Sequence, residues 1–324
     1  TGDGAHALLQ AGTGAAQTIF GGGSLTVEGQ GAAGAIAKAE VLSSGSQSIQ
    51  AGSILVKAGS SAGSLARIAA TGSQSISGSG LTLTAGGAGQ TGEPFVAVPG
   101  ASATIEGQSQ NIDIFGAIVL NGGAGTSGNT ADAILRNLSG AQDIYSSGTM
   151  TLNGGHTQST TGILNLGTGS QTITANGGLL VRSDPNLPPA HADSSVLIQN
   201  QAATLQTINA SGGGVTLLNS GDGTVAVTSA GTQTVSTRFV DVTTAAGSTG
   251  DATLFATGDQ RIHTTNESTS GFSILVAARG TGTAKIESGA SQLLEVGYPE
   301  VMTGSTSSGV LKVEILTEGV HSGD

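Results

Sequence analysis

The chain has no cysteine and no tryptophan, and its 324 residues include only two tyrosines and six phenylalanines. Without cysteine there is neither a disulfide framework nor a thiolate metal site. Charge is equally scarce, at 10 % of residues, and it is unbalanced: ten Lys and Arg against 21 Asp and Glu, a formal net charge of −11. The basic residues are dispersed along the chain. Nucleic-acid binders need Lys and Arg in clusters, so that partner is excluded. No apolar run approaches the roughly 20 residues a membrane-spanning helix requires, so no membrane span is expected. No charged-then-apolar leader opens the sequence, so a signal peptide is expected to be removed already or never to have been present.

What the chain has instead is glycine, 55 residues of it, and repetition. A short phrase, Gln-x-Ile or a close variant, begins at Gln17, Gln47, Gln74, Gln110, Gln142, Gln171, Gln206, Gln233, Gln260 and Gln292, with 27 to 36 residues between successive anchors. Self-similarity at such a period marks a solenoid. A glycine-rich, weakly charged composition also suits a disordered chain. Here, however, the apolar residues fall in alternating pairs such as Leu81/Leu83, Ile54/Val56 and Ile118/Leu120, bounded by glycine-rich turns. Short strands and turns are written that way. A solenoid grows as one body, so residues 1–324 are expected to form a single repeat domain.

Each period holds three strand-like pieces. The first is Gln-x-Ile. The second is of the type Leu81-Thr82-Leu83-Thr84. The third precedes the next Gln, as in Thr224-Val225-Ala226-Val227-Thr228 or Asp251-Ala252-Thr253-Leu254-Phe255. The connection from second to third piece takes up most of the length variation and carries Pro94, Pro99, Pro185, Pro188 and Pro189. A missing amide donor does no harm to a strand ladder there. Three short strands per coil, stacked coil on coil, predict an all-β parallel β-helix of about ten to eleven coils. Its crossovers are expected to be right-handed, as parallel connections almost always are. At about 4.8 Å per coil the rod would be roughly 50 Å long. Its narrow core of stacked Ile, Leu and Val has little room for rings, which fits their scarcity.

Residues i and i+2 of a strand share a face, so Gln and Ile of Gln-x-Ile point the same way. Stacked amides can then bond to the copies above and below, and the ten glutamines are expected to form a structural ladder. A row of ligand-binding glutamines is the lesser reading, because buried polar groups are normally satisfied by neighbours. The outward position in the middle of the second piece reads Thr26, Leu55, Thr82, Val119, Thr151, Leu180, Thr216 and Leu275, with the repeat around Phe239 and Val242 ambiguous in register. Half of these are apolar on a face that should be solvated. They mark a candidate lateral interface, unless long connections of the same chain cover it. Residues 309–316 and the segment Ala5-His6-Ala7-Leu8-Leu9 each resemble one more strand of the third type, and no amphipathic helix caps either end. Open coil edges are expected to continue into further coils, either because the chain is part of a longer one or because it stacks end to end with its own copies as a homo-oligomer or filament.

Enzymes on this architecture need clustered carboxylates across adjacent coils. Asp132 and Asp251 occupy equivalent positions but are about four coils, or roughly 19 Å, apart. Asp113 and Asp143 lie in adjacent coils, offset by two positions relative to their anchors. His6, His156, His191, His263 and His321 show no metal spacing. There is no Gly-Gly-x-Gly-x-Asp calcium repeat. The glycine clusters at 12–14 and 21–23 are turns, since no βαβ context surrounds them. A flat ice-binding Thr array is broken by Leu and Val. No catalytic residues, metal or cofactor are therefore expected. The rival class is a carbohydrate-binding or carbohydrate-active β-helix. Acids and aromatics gathered on one face would favour it.

The phrases Gly-Ser-Gln-Ser-Ile-Ser-Gly-Ser-Gly-Leu-Thr-Leu-Thr-Ala-Gly-Gly at 72–87 and Gly-Ser-Gln-Thr-Ile-Thr-Ala-Asn-Gly-Gly-Leu-Leu-Val at 169–181 resemble the repeat regions of filamentous-haemagglutinin-like bacterial exoproteins. The likeness is one of repeat style and extends over nearly the whole chain. It implies a right-handed β-helical fibre on the surface of a Gram-negative bacterium, exported by a two-partner route and used in adhesion or biofilm-matrix building, with copies of itself or with host or matrix glycans as partners. The secretion domain of such exoproteins carries Asn-Pro-Asn motifs, which do not occur here. Asp184-Pro185-Asn186-Leu187 is read as a plain turn.

Overall fold

A computed structural model describes residues 5–29, 36–59, 61–86, 100–124, 130–156, 158–183, 194–265, 273–296 and 301–303. Thirty strands lie among them. Strands β1 (His6–Ala11), β2 (Gln17–Phe20) and β3 (Leu25–Gly29) make the first coil, and β28 (Ala284–Ser288), β29 (Gln292–Val296) and β30 (Val301–Thr303) the last. Every third strand pairs with its equivalent one coil on, giving three parallel sheets of ten strands each. The fold is an all-β parallel solenoid with three strands per coil. Eight strands of each sheet have partners on both sides. The expected ten to eleven coils is therefore slightly high, since the first and last coils are open on one side.

Side-chain alternation explains the section. In Leu81-Thr82-Leu83 the leucines are buried and the threonine between them is partly exposed. Inward positions then stack on their own kind. The second sheet aligns Ile19, Ile49, Ile76, Ile112, Ile144, Ile173, Ile208, Val235, Ile262 and Leu294 in one file. Parallel files from the other two sheets join it in one continuous cluster that runs from Val27 to Ile286. Burying each such aliphatic contributes about 1.5–3 kcal/mol.

The spacing of the turns follows from the stack. Between second- and third-piece strands the connection ranges from four residues after Asn219 to seventeen after Thr84. One long connection falls elsewhere, with nine residues separating Thr264 from Ile274. The prolines named above lie outside the described residues. Close approach accounts for the Gly-Gly pairs that follow the second piece. A Cβ on Gly155 would overlap the carbonyl oxygen of Gly123, and one on Gly123 would overlap that of Gly86. Successive turns thus touch backbone to backbone.

Gly155→Ala should therefore destabilise the protein by about 1–3 kcal/mol in urea unfolding, as overpacking does. Gly12→Ala, where an added methyl meets no atom within 4 Å, should stay within about 0.5 kcal/mol.

Candidate functional site

Three features of the solenoid carry chemistry, and each is set by strand register. The first is internal. All ten anchor glutamines fall in one file at the inward side of the second sheet. Each Nε2 donates to the Oε1 of the glutamine one coil toward the N-terminus: Gln47 to Gln17 at 2.7 Å, Gln74 to Gln47 at 2.8 Å, Gln110 to Gln74 at 3.0 Å and Gln142 to Gln110 at 2.8 Å. The chain of bonds continues through Gln171, Gln206, Gln233 and Gln260 to Gln292 without a break. Several amides also donate to a backbone carbonyl, as Gln206 does to Thr228 at 3.1 Å. Gln171 and Gln206 are fully buried.

A second amide file was not foreseen. At the ends of first-sheet strands, Asn137 donates to Asn165 at 2.7 Å and Asn165 to Asn200 at 2.9 Å, in the direction opposite to the glutamines. At the ends of third-sheet strands Asn153 donates to Asn121 at 2.8 Å, and Arg182 caps that pair through Asn153. Part of the signal lies in the recurring Leu-Asn dipeptide at 120–121, 152–153 and 164–165, but Asn137 follows Arg136 and Asn200 follows Gln199.

The second feature is the outward file of the third sheet. Thr26, Leu55, Thr82, Val119, Thr151, Leu180 and Thr216 stack in that order, followed by Asp241 and then Leu275. Asp241 fills the position left open by the ambiguous repeat. Leu275 is buried, at 8 % exposure. The partly exposed apolar members are thus Leu55, Val119 and Leu180, each separated from the next by a threonine. The stripe is interrupted rather than continuous. The connections at 85–101 and 182–194, which bear on what covers it, lie mostly outside the described residues.

The third feature is on the outward face of the second sheet. Asp113 in the strand Ser109–Ile114 and Asp143 in the strand Gln142–Ser146 both point outward from adjacent coils. They stand on a diagonal, because Asp143 pairs with Asn111 and Asp113 with Tyr145. Partial burial, and then the nearby Asp113 carboxylate, raise the Asp143 carboxyl above its ordinary value of 3.8. The Tyr145 ring meets Phe115 edge to face, with centroids 6.5 Å apart, and its hydroxyl accepts from Asn176 Nδ2 at 3.1 Å. Phe115 is 68 % exposed. A shallow groove of about 420 Å³ runs up to this patch over the first coils. Its floor includes the small hydroxyls of Thr18, Ser48 and Ser75, and Asn111 and Ala141 close it.

Other acids have structural partners. Asp132 accepts the Thr160 amide at 2.8 Å, Asp251 that of Thr283 at 2.8 Å, and Asp259 that of Ser291 at 3.1 Å, each one coil on. His6 contacts Glu40 at 2.8 Å, and His263 lies 3.5 Å from Glu295. His191 and His321 lie outside the described residues. Among the described residues no three His, Asp or Glu side chains gather to hold a metal, and no helix is long and apolar enough to cross a membrane. In comparison with known proteins, no family model matches the chain, and neither a curated protein nor a solved structure matches it significantly.

Replacing Gln142 by Leu leaves the Gln110 oxygen and one N–H of the Gln171 amide without their partners in the core, while Gln171 keeps its bond to the Gln199 carbonyl at 3.2 Å. At about 1–3 kcal/mol for each of the two orphaned groups, chemical denaturation should show a loss of about 2–6 kcal/mol. The exposed Gln201→Leu should change stability by less than about 0.5 kcal/mol. For Asp143 the folded pKa is raised, so folding disfavours its ionised form, and this penalty is present above the folded pKa and vanishes as pH falls through the unfolded value. Asp143→Asn should therefore raise the Tm at pH 7 and leave it unchanged near pH 3, as measured by thermal melts across that range.

Proposed function

We propose that the chain is a non-enzymatic structural element of an extracellular fibre or adhesive matrix. It would act as a stiff rod at the surface of a Gram-negative bacterium and associate with copies of itself. The observation that carries this reading is the unbroken file of nine amide–amide bonds that joins all ten anchor glutamines. It runs alongside three ladders of backbone hydrogen bonds, so every cross-section resists axial separation by the same set of interactions. The resemblance of the repeats to filamentous-haemagglutinin-like exoproteins supports the same class, location and adhesive role. Negative-stain electron microscopy across a concentration series should show filaments one rod wide that lengthen with concentration. Isolated short rods at every concentration would sink self-assembly.

A second reading rests on the patch at Asp113, Phe115, Asp143 and Tyr145. Exposed rings stack on the apolar faces of sugars, while carboxylates and amides take their hydroxyls, and the adjoining hydroxyl-lined groove offers an extended track. A neutral polysaccharide suits it better than an anionic one, given the net charge of −11. On a glycan array the wild-type protein should retain neutral glycans, and Phe115→Ala or Tyr145→Ala should lower that signal at least about tenfold, the equivalent of 1.4 kcal/mol. An unchanged signal in both variants would remove this reading.

A further inference from the structure

Resting on the glycan reading, we infer that the ligand is a neutral polysaccharide of equatorially 1,4-linked pyranose rings, lying along the rod axis with one ring per coil. The groove on the second sheet receives it. Its walls are the residues on either side of each anchor glutamine: Ser46 and Ser48, Ser73 and Ser75, then Ser109 and Asn111. Strand register stacks each wall on itself, so a hydroxyl or amide recurs at every coil, about 4.8 Å apart. The turns that border this face in the first five coils all belong to the described residues, and Thr18, Ser48, Ser75 and Asn111 are exposed. One end of the groove is set within the rod. Ala141 closes it, and two coils further on Leu205, 43 % exposed, replaces the small residue before the glutamine.

The hydroxyls of this groove are free to bind. Among the described residues the side chains of Thr18, Ser46, Ser48, Ser73, Ser75 and Ser109 make no hydrogen bond. Serines at nearby strand ends do: Ser43 donates to the Ser46 carbonyl at 2.9 Å and Ser146 to that of Gly116 at 2.6 Å. No charged side chain lines the groove, so a neutral polymer would meet none there. Spacing selects the linkage. Equatorial 1,4 bonds make a flat ribbon that advances by close to the coil rise at each ring, with successive rings facing opposite ways. Its hydroxyls therefore alternate between the two walls, and both walls carry groups that donate and accept. Axial 1,4 bonds coil the chain into a helix, which would leave the groove after a ring or two. Beside Asn111 the Phe115 and Tyr145 rings supply an independent contact on which a sugar can stack.

Calorimetric titration with β-1,4-linked and α-1,4-linked gluco-oligosaccharides, from disaccharide to pentasaccharide, tests the fit. Affinity should rise at least about tenfold along the β-1,4 series and stay flat along the α-1,4 series. Ser75→Ile, which fills the groove from an exposed strand position, should abolish the rise. Thr207→Ile, in the same outward column beyond Leu205, should leave it intact. Thermal melts check that both variants fold, and if Ser75→Ile does not, Ser48→Ile makes the same test one coil away. A flat β-1,4 series, equal slopes in the two series, or a rise that survives the groove variants would overturn the axial track. So would binding of neither series while other neutral glycans are retained on the array, and in each of these cases the glycan reading stands. If the array retains no neutral glycan, that reading fails and the track with it.

Discussion

A buried primary amide has two donors and an acceptor to satisfy, and in this solenoid the matching amide one coil away supplies most of what it needs. That requirement determines register. The alternation of apolar and polar residues distinguishes the two faces of a strand, so a slip of one residue is forbidden by exposing the core. A slip of two residues keeps every aliphatic inward. In the third sheet it would merely set Ile54 against Leu83 instead of Leu81, an exchange of similar side chains. In the second sheet the same slip would press Gln74 against Ile49 and strand amides along the whole file, each at a cost of about 1–3 kcal/mol. One polar position per coil therefore fixes an alignment that the apolar positions leave degenerate. The other two sheets inherit that alignment through their short connections.

Once register is fixed, the remaining sequence divides by its distance from the stack. Turns that repeat in every coil must fit against their own copies, which is why glycine recurs where Gly86, Gly123 and Gly155 meet backbone to backbone. The connections that bulge away from the stack are released from that constraint, and their lengths vary from four to seventeen residues. Ion pairs follow the axis as well. Glu28 meets Lys57 at 2.8 Å, and Arg67 joins Glu106 at 3.2 Å, in each case from one coil to the next. Such partly exposed pairs contribute about 0–1 kcal/mol each, so they tune the stack without determining it.

The repeated phrase made the strands, the three-sheet section and the glutamine file legible because each is a period-two or coil-period property of the chain. What escaped was whatever breaks the period. The strand Val240–Thr244 follows Phe239, and the run Phe239-Val240-Asp241-Val242 can alternate in either phase. Tertiary packing settles it: the Phe239 ring lies where a Cβ on Gly214 would have to sit, leaving Val240 and Val242 to face inward. Neither residue announces this alone. The nine-residue connection after Thr264 is likewise a departure from the coil pattern, legible only when the strands on both sides are placed. The aromatic pair at Phe115 and Tyr145 joins residues five and three positions after their respective glutamines, so no alignment of repeats puts them in one column.

The same division explains why the function is harder to read than the fold. Selection on the interior acts on every coil at once, because each inward residue must match two neighbours, and it therefore leaves a periodic trace. A binding surface needs only a few coils and gains from being unlike the rest. On the second sheet the outward column beginning at Thr18 is a row of small hydroxyls for three coils, becomes Asn111 and Asp143, returns to threonine, and ends at Arg261 and Leu293. Structural repetition cannot account for such a change along one file whose inward neighbours hardly vary. The coils holding Asp113, Phe115, Asp143 and Tyr145 depart furthest from the rod's own pattern, and a surface that differs from its scaffold in this way is where contact with something other than another coil should be sought.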